Sequence, residues 1–176
     1  MLLPLLETRR SIRKYQDRPV EREKLDQILE AGLRAPSSRG LNPWEFIVVD
    51  QPDLLRKLAA AKTHGAEFLK DAPLAVVVCA DPERCDVWIE DASIAAALMM
   101  LTAHELGLGS CWVQYRLRKY DQTVSATERL RELLGLPGSL QVLCAMAIGY
   151  PAEHKPGHSR EKLPWAKLHH NRFEEK

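Results

Sequence analysis

DVWIEDASIAAALMMLTAHELGL, residues 86–108, is the stretch that decides the architecture. At helical spacing it reads as one long helix, apolar almost all round between Ala92 and Leu101, with alanines crowding its middle. A surface helix needs cover along one stripe, whereas this one needs cover on every side. A chain of 176 residues is one ordinary domain with room for a single core. A partner subunit is therefore the natural source of the missing cover.

Outward from this helix, the flanking segments read as strands and shorter helices. Gly107 and Gly109 end the helix, and residues 110–114 (SCWVQ) form a short strand. Residues 74–80 (LAVVVCA) and 140–148 are continuous apolar runs, the pattern of strands buried on both faces. Residues 45–50 (EFIVVD) make a further strand. Between 21 and 33, Leu25, Ile28, Leu29 and Leu33 share one helical face, and Gly32 with Pro36 closes the segment. Residues 53–62 read as a helix, and Ser125 with Glu128 forms a capping box that starts another, stopped by Gly135 and Pro137. After a short apolar start, residues 9–14 form a dense basic turn, and the tail from 149 to 176 looks extended. The expectation is an α+β or α/β fold, a mixed central sheet flanked by helices, in a single domain spanning 1–176.

Composition narrows the function. Lys plus Arg number 25 against 24 for Asp plus Glu, a net charge of +1, so no field of one sign draws nucleic acid, a membrane surface or an acidic partner. The longest apolar stretch, residues 94–101, is far too short to span a bilayer. The first ten residues place their charges after the apolar ones, the reverse of a secretory signal, and no targeting segment is expected. Cys79, Cys85, Cys111 and Cys144 are scattered without CxxC spacing, which suits a reducing, cytoplasmic setting. His154 and His158 stand four apart with Pro156 and Gly157 between them, and no cysteine or carboxylate at ligand spacing joins them. No metal site is expected, and no nucleophile motif such as G-x-S-x-G occurs.

Three segments carry groups suited to a ligand. Arg9-Arg10-Ser11-Ile12-Arg13-Lys14 brings guanidiniums and a hydroxyl together, a set that can grip a phosphate or simply form a solvated basic face. Pro36-Ser37-Ser38 opens a loop rich in breakers that leads into a strand, where binding sites and plain connectors are both common. Gly107-Leu108-Gly109-Ser110-Cys111-Trp112 allows close approach of backbone to a flat ring, or is merely a helix end followed by a core strand. Taken singly, none decides.

Their order does. Arg-Arg-Ser-Ile-Arg, then Ala-Pro-Ser-Ser through Asn-Pro-Trp-Glu-Phe, the alanine-rich helix running into Gly-Leu-Gly-Ser-Cys-Trp, and Ala-Ile-Gly-Tyr-Pro-Ala-Glu (Ala147 to Glu153) together resemble the nitroreductase family over essentially the whole chain. The resemblance implies an α+β homodimer built on the long helix, with FMN in two equivalent sites at the subunit interface. By motif position, Arg9, Arg10, Ser11 and Arg13 would hold the phosphate and ribityl chain, aided by Arg160 and Lys162. Pro36, Ser37, Ser38, Gly40 and Asn42 would come from the opposite subunit. Trp112, Val113 and Gln114 would lie along the ring, with the Gln114 amide near flavin N5. The implied reaction is ping-pong hydride transfer from NAD(P)H through flavin N5 to a nitroaromatic, quinone or similar small acceptor, with no catalytic side chain. A non-catalytic flavin- or nucleotide-binding sensor or carrier is the other class these motifs allow. Gly40, Asn42 and Tyr115 depart from residues frequent at those positions in the family. The stretch 115–123 is short where longer relatives insert helices, which implies a more open pocket.

Overall fold

The computed structural model of the chain describes residues 1–174. Five helices and four strands are laid out in the order α1 (Leu2–Thr8), α2 (Arg22–Leu33), β1 (Trp44–Val49), α3 (Pro52–Ala60), β2 (Leu74–Ala80), α4 (Trp88–Glu105), β3 (Gly109–Gln114), α5 (Ala126–Leu134) and β4 (Gln141–Gly149). The strands form one sheet in the order β1-β2-β4-β3.

Every pairing between these strands is antiparallel, where a mixed sheet was expected. The parallel element is reduced to an isolated bridge, Ser11 to Ser110, laid against the outer edge of β3. Alternation of helical and strand segments in the sequence could not separate the two cases, because a helix can join antiparallel neighbours as readily as parallel ones.

The two central strands are buried along nearly their whole length because both faces are covered. On one face Val76, Val78, Met146 and Ile148 pack with Ile28 of α2 and with Ala92, Ala96 and Met99 of α4. On the other, Ala75, Val77, Ala145 and Ala147 pack with Leu55 and Leu58 of α3 and Leu130 of α5. The capping box at Ser125 is formed in both directions, the Glu128 amide donating to Ser125 Oγ and the Ser125 amide to Glu128. All four cysteines are free and buried; burial pushes the Cys79 thiol up to about 12 and raises Cys144 as well, so these two act as small apolar fillers.

Helix α4 meets the sheet through Ala92, Ala95, Ala96, Met99 and Ala103, whose small side chains let it lie close. Its other side is bare within one chain. Ile94 is 41% exposed, and Ala97, Leu98 and Leu101 continue the same stripe at helical spacing. The sequence demanded cover all round; one subunit supplies it on one side only. The apolar start that the sequence left unassigned forms α1, and Leu2, Leu3 and Leu6 remain exposed on it.

Candidate functional site at the edge of strand β3

Strand β3 is an outer strand, bonded to β4 along one edge only. Amide and carbonyl of a strand residue point the same way, and successive residues alternate. The Ser110 carbonyl accepts from the Ile12 amide at 3.0 Å, and the Gln114 carbonyl accepts from Lys62 Nζ at 3.1 Å, so both face the free edge. Trp112 and Gln114 share that parity, and their amides lie along the same open edge, available to a ligand. The Val113 side chain is buried in the core on the α3 and α5 side, so only its backbone can serve the site.

Arg9 to Lys14 runs extended beside this edge instead of forming the expected turn. Glu153 Oε1 accepts the amides of Arg13 at 2.6 Å and Lys14 at 3.2 Å, which holds the carboxyl below its usual range, the Arg13 amide being the main cause. Lys155 Nζ donates to the Ser11 carbonyl at 2.7 Å and pairs with Glu153 at 3.1 Å. The Arg10 guanidinium donates to the Pro156 carbonyl. Gly109 is glycine for a steric reason: a Cβ there would stand 2.7 Å from Ile12 Cβ, and the segment could not close onto β3.

Two of the three buried polar side-chain atoms without a partner among the described residues, Arg9 Nη1 and Ser110 Oγ, belong to this junction. A buried guanidinium nitrogen left unbonded costs on the order of 1–3 kcal/mol. An anion seated there removes that cost. Cys111 lies beneath the same cations, yet burial outweighs them and keeps its thiol above its ordinary value, so it is no nucleophile at neutral pH.

The loop from 36 to 42 is built separately. Ser37 Oγ donates to Asn42 Oδ1 at 2.7 Å and accepts the Asn42 amide at 3.0 Å. The Ser38 amide donates to Asp91 Oδ1 at 3.0 Å, and Cys85 Sγ donates to Asp91 Oδ2 at 3.3 Å. Asp91 is only 4% exposed, the one buried carboxylate among the described residues, and these two bonds are what justify its burial. Arg39, Gly40 and Asn42 all have positive φ, at 55°, 65° and 46°, and the exposed Arg39 side chain pairs with Asp86.

The loop and the basic segment sit at opposite ends of α4. Ser38 is fixed at Asp91, whereas Thr8 Oγ1 bonds His104 Nε2 at 2.8 Å near the other end. Thirteen residues of helix separate those anchors, roughly 20 Å. Arg160 and Lys162 are exposed, with contacts inside the tail and to α1: Arg160 stacks over Trp165 at 5.3 Å and lines a groove with Leu3 and Leu6.

The Nitroreductase family model matches residues 6–66 and 59–150. The chain belongs to the nitroreductase family. It is similar to a solved FMN-dependent nitroreductase from Clostridium difficile, 53% identical, with a TM-score of 0.96 over 97% of this chain and 99% of that one. A protein of Archaeoglobus fulgidus carrying the provisional name NADH dehydrogenase/NAD(P)H nitroreductase is 40% identical over 157 residues, 87% of each chain. An FMN reductase [NAD(P)H] from Bacillus subtilis is 30% identical over 92% of this chain and 69% of its own length.

In this nitroreductase, three residues at the β3 edge escaped the sequence reading. Lys62 donates to the Gln114 carbonyl, and burial, then the charge of Arg118, holds its amine below the usual lysine range. Glu153 and Lys155 shape the basic segment through its backbone. Lys62 lies just past the end of α3, where the expected helix to residue 62 has already stopped, with no motif to mark it. Glu153 stood at the end of a quoted motif, with Lys155 two residues on, but nothing in the spacing assigned either to the amides and carbonyl of residues 11–14.

Proposed function

We propose that the protein is an FMN-dependent oxidoreductase that draws hydride from NAD(P)H and passes it to a nitroaromatic, quinone or similar small acceptor, as a cytoplasmic homodimer with FMN between subunits. The observation that carries this reading is the unpartnered, buried Arg9 Nη1 on the segment that runs along β3, whose outer edge leaves amides free. One is a seat for a phosphate, and the other is an edge of N–H donors for a flat heteroaromatic ring.

Arg9, Arg10, Ser11 and Arg13 hold the phosphate end, and the edge from Trp112 to Gln114 holds the ring, with the Gln114 amide toward N5. When bound, FMN supplies two-electron chemistry, taking hydride in one half-reaction and giving it up in the next. Lys62 places a cation near the Gln114 end of that edge, where it stabilises negative charge on a reduced ring. The protein's part is to bind, orient and polarise, and no side chain serves as nucleophile.

The homodimer follows from two features. The loop with Pro36, Ser37, Ser38, Gly40 and Asn42 precedes β1 on the far edge of the sheet from β3, so it does not close over its own chain's ring site. Two α4 helices packed antiparallel through Ile94, Ala97, Leu98 and Leu101 about a two-fold axis bring the Asp91 end of one to the His104 end of the other. Each loop then covers the partner's site. Arg160 and Lys162 reach a phosphate on this reading only if the tail repacks on the partner. Four free buried cysteines fit the reducing cytoplasm.

The absorbance spectrum of the purified, desalted protein tests the reading. Released FMN near one per chain, bleached on stopped-flow mixing with NADH or NADPH, is the expected result. A flavin that stays oxidised makes the protein a sensor or carrier, and a colourless protein that takes up no FMN overturns the reading.

A further inference from the structure

Immediately beyond Gln114 the chain reads Tyr115-Arg116-Leu117-Arg118-Lys119, three cations in four residues. Tyr115 is buried and anchored, its hydroxyl donating to the Leu58 carbonyl at 2.7 Å, so the following residues are thrown outward from a fixed point. Leu117 takes φ 58° and is 78% exposed. The turn is pinned on its far side, where the Ala126 amide donates to the Arg118 carbonyl at 2.9 Å and the Thr63 amide to the Lys119 carbonyl at 3.2 Å.

This turn walls a cleft of about 260 Å³ lined by Arg116, Arg118, Trp88, Ser125 and Thr127. Arg116 lies over the Trp88 ring at 5.9 Å, which keeps its guanidinium on the cleft wall. Among the described residues neither Arg116 nor Arg118 makes an ion pair, unlike Arg129 nearby, which pairs with Glu132 at 2.6 Å. Ser125 Oγ already accepts the Glu128 amide, which leaves its hydroxyl proton free to donate. Glu128 caps the start of α5 itself, so the seat for an anion is the guanidinium pair and the hydroxyls, not the helix end.

The charge here is not spent within the fold. Arg118 is close enough to Lys62 to depress its amine, and Lys62 bonds the Gln114 carbonyl, so the cleft is electrostatically continuous with the β3 edge.

We propose that Arg116 and Arg118 bind a phosphate of the nicotinamide dinucleotide and so govern recognition of the reductant. The proposal rests on the flavin ring lying along β3. Of the substrates in that reading, the dinucleotide is the one that always bears phosphate, and two guanidiniums with two hydroxyls match a phosphate's several acceptor oxygens.

Steady-state kinetics of the FMN-loaded protein test it, with Arg116→Ala, Arg118→Ala and the conservative Arg118→Lys. KM for the reductant rises about tenfold or more in each alanine variant, from the charged hydrogen bonds lost, with the loss falling on KM more than kcat, and Arg118→Lys recovers part of it. A rise confined to NADPH assigns the cleft to the 2′-phosphate, and 2′,5′-ADP then binds the wild-type protein more tightly than 5′-AMP in calorimetry. Equal rises for NADH and NADPH assign it to the bridging diphosphate. Arg129→Ala, whose charge is already paired, leaves KM where it was. Unchanged KM for both reductants in protein carrying full FMN overturns the proposal while leaving the flavin reading intact. Protein that binds no FMN fails the earlier reading instead.

Discussion

Replacing Arg9 by Met probes the phosphate seat most sharply, because the structure predicts opposite effects on binding and on folding. Arg9 Nη1 is buried without a partner, so without an anion the side chain carries a desolvation cost of about 1–3 kcal/mol that methionine would not. An anion bonded there contributes about 1.5–3 kcal/mol through charge-assisted hydrogen bonds, which is about 10- to 150-fold in Kd. Arg9→Met therefore weakens FMN by that factor, measured by quenching of flavin fluorescence on titration. The flavin-free protein, unfolded in urea, is no less stable than wild type and gains up to the cost removed. Arg10 differs, since its guanidinium already donates to the Pro156 carbonyl, and its truncation costs stability as well as affinity. An Arg9→Met protein that binds FMN normally, or a flavin-free variant destabilised by more than about 1 kcal/mol, would refute the reasoning.

Gly109→Ala drives a methyl group into Ile12, 2.7 Å away, and should cost about 1–3 kcal/mol in urea unfolding together with most of the FMN affinity, as residues 11–13 lift off β3; full affinity would show that this close approach is dispensable. Asp91→Ala strands the Ser38 amide, costs about 1–3 kcal/mol, and should raise hydrogen exchange selectively across residues 36–42, whereas uniform exchange would deny the clamp. Glu153 has a depressed carboxyl, so its contribution to stability is complete above its ordinary value near 4.5 and is lost as pH falls through the lower folded value. Glu153→Gln should flatten that acid limb in a series of urea melts, and an unaltered limb would place the acid sensitivity elsewhere.

The sequence was most legible where periodicity and burial coincide. Residues 74–80 are legible as a strand to the residue, because an unbroken apolar run of 7 residues flanked by Pro73 and Asp81 is too short for a buried helix. The capping box at Ser125 and Glu128 was equally plain. Strand direction was not legible, since it depends on which neighbours the connections reach. The site was legible by residue type and not by mechanism of support. Arg9 to Arg13 stood out as charge, but their attachment through the Glu153 carboxylate and the Lys155 amine needs contacts about 140 residues apart in sequence. Lys62 was invisible because its role comes only from the fold bringing the bend after α3 against the last residue of β3. The all-round apolarity of α4 is a demand for cover on every side, and Ile94 on the bare side shows which part of it one chain leaves unmet.

The most direct test of the central claim is flavin stoichiometry in hybrid dimers formed by mixing Arg9→Met and Asp91→Ala chains, each of which impairs a different half of the site. A site shared between subunits gives each hybrid one damaged pair and one intact pair. FMN bound with wild-type affinity at one per two chains, where neither parent retains it, is the predicted result. Hybrids that bind no more flavin than the parents, or a wild-type protein that holds FMN as a monomer, would contradict the account.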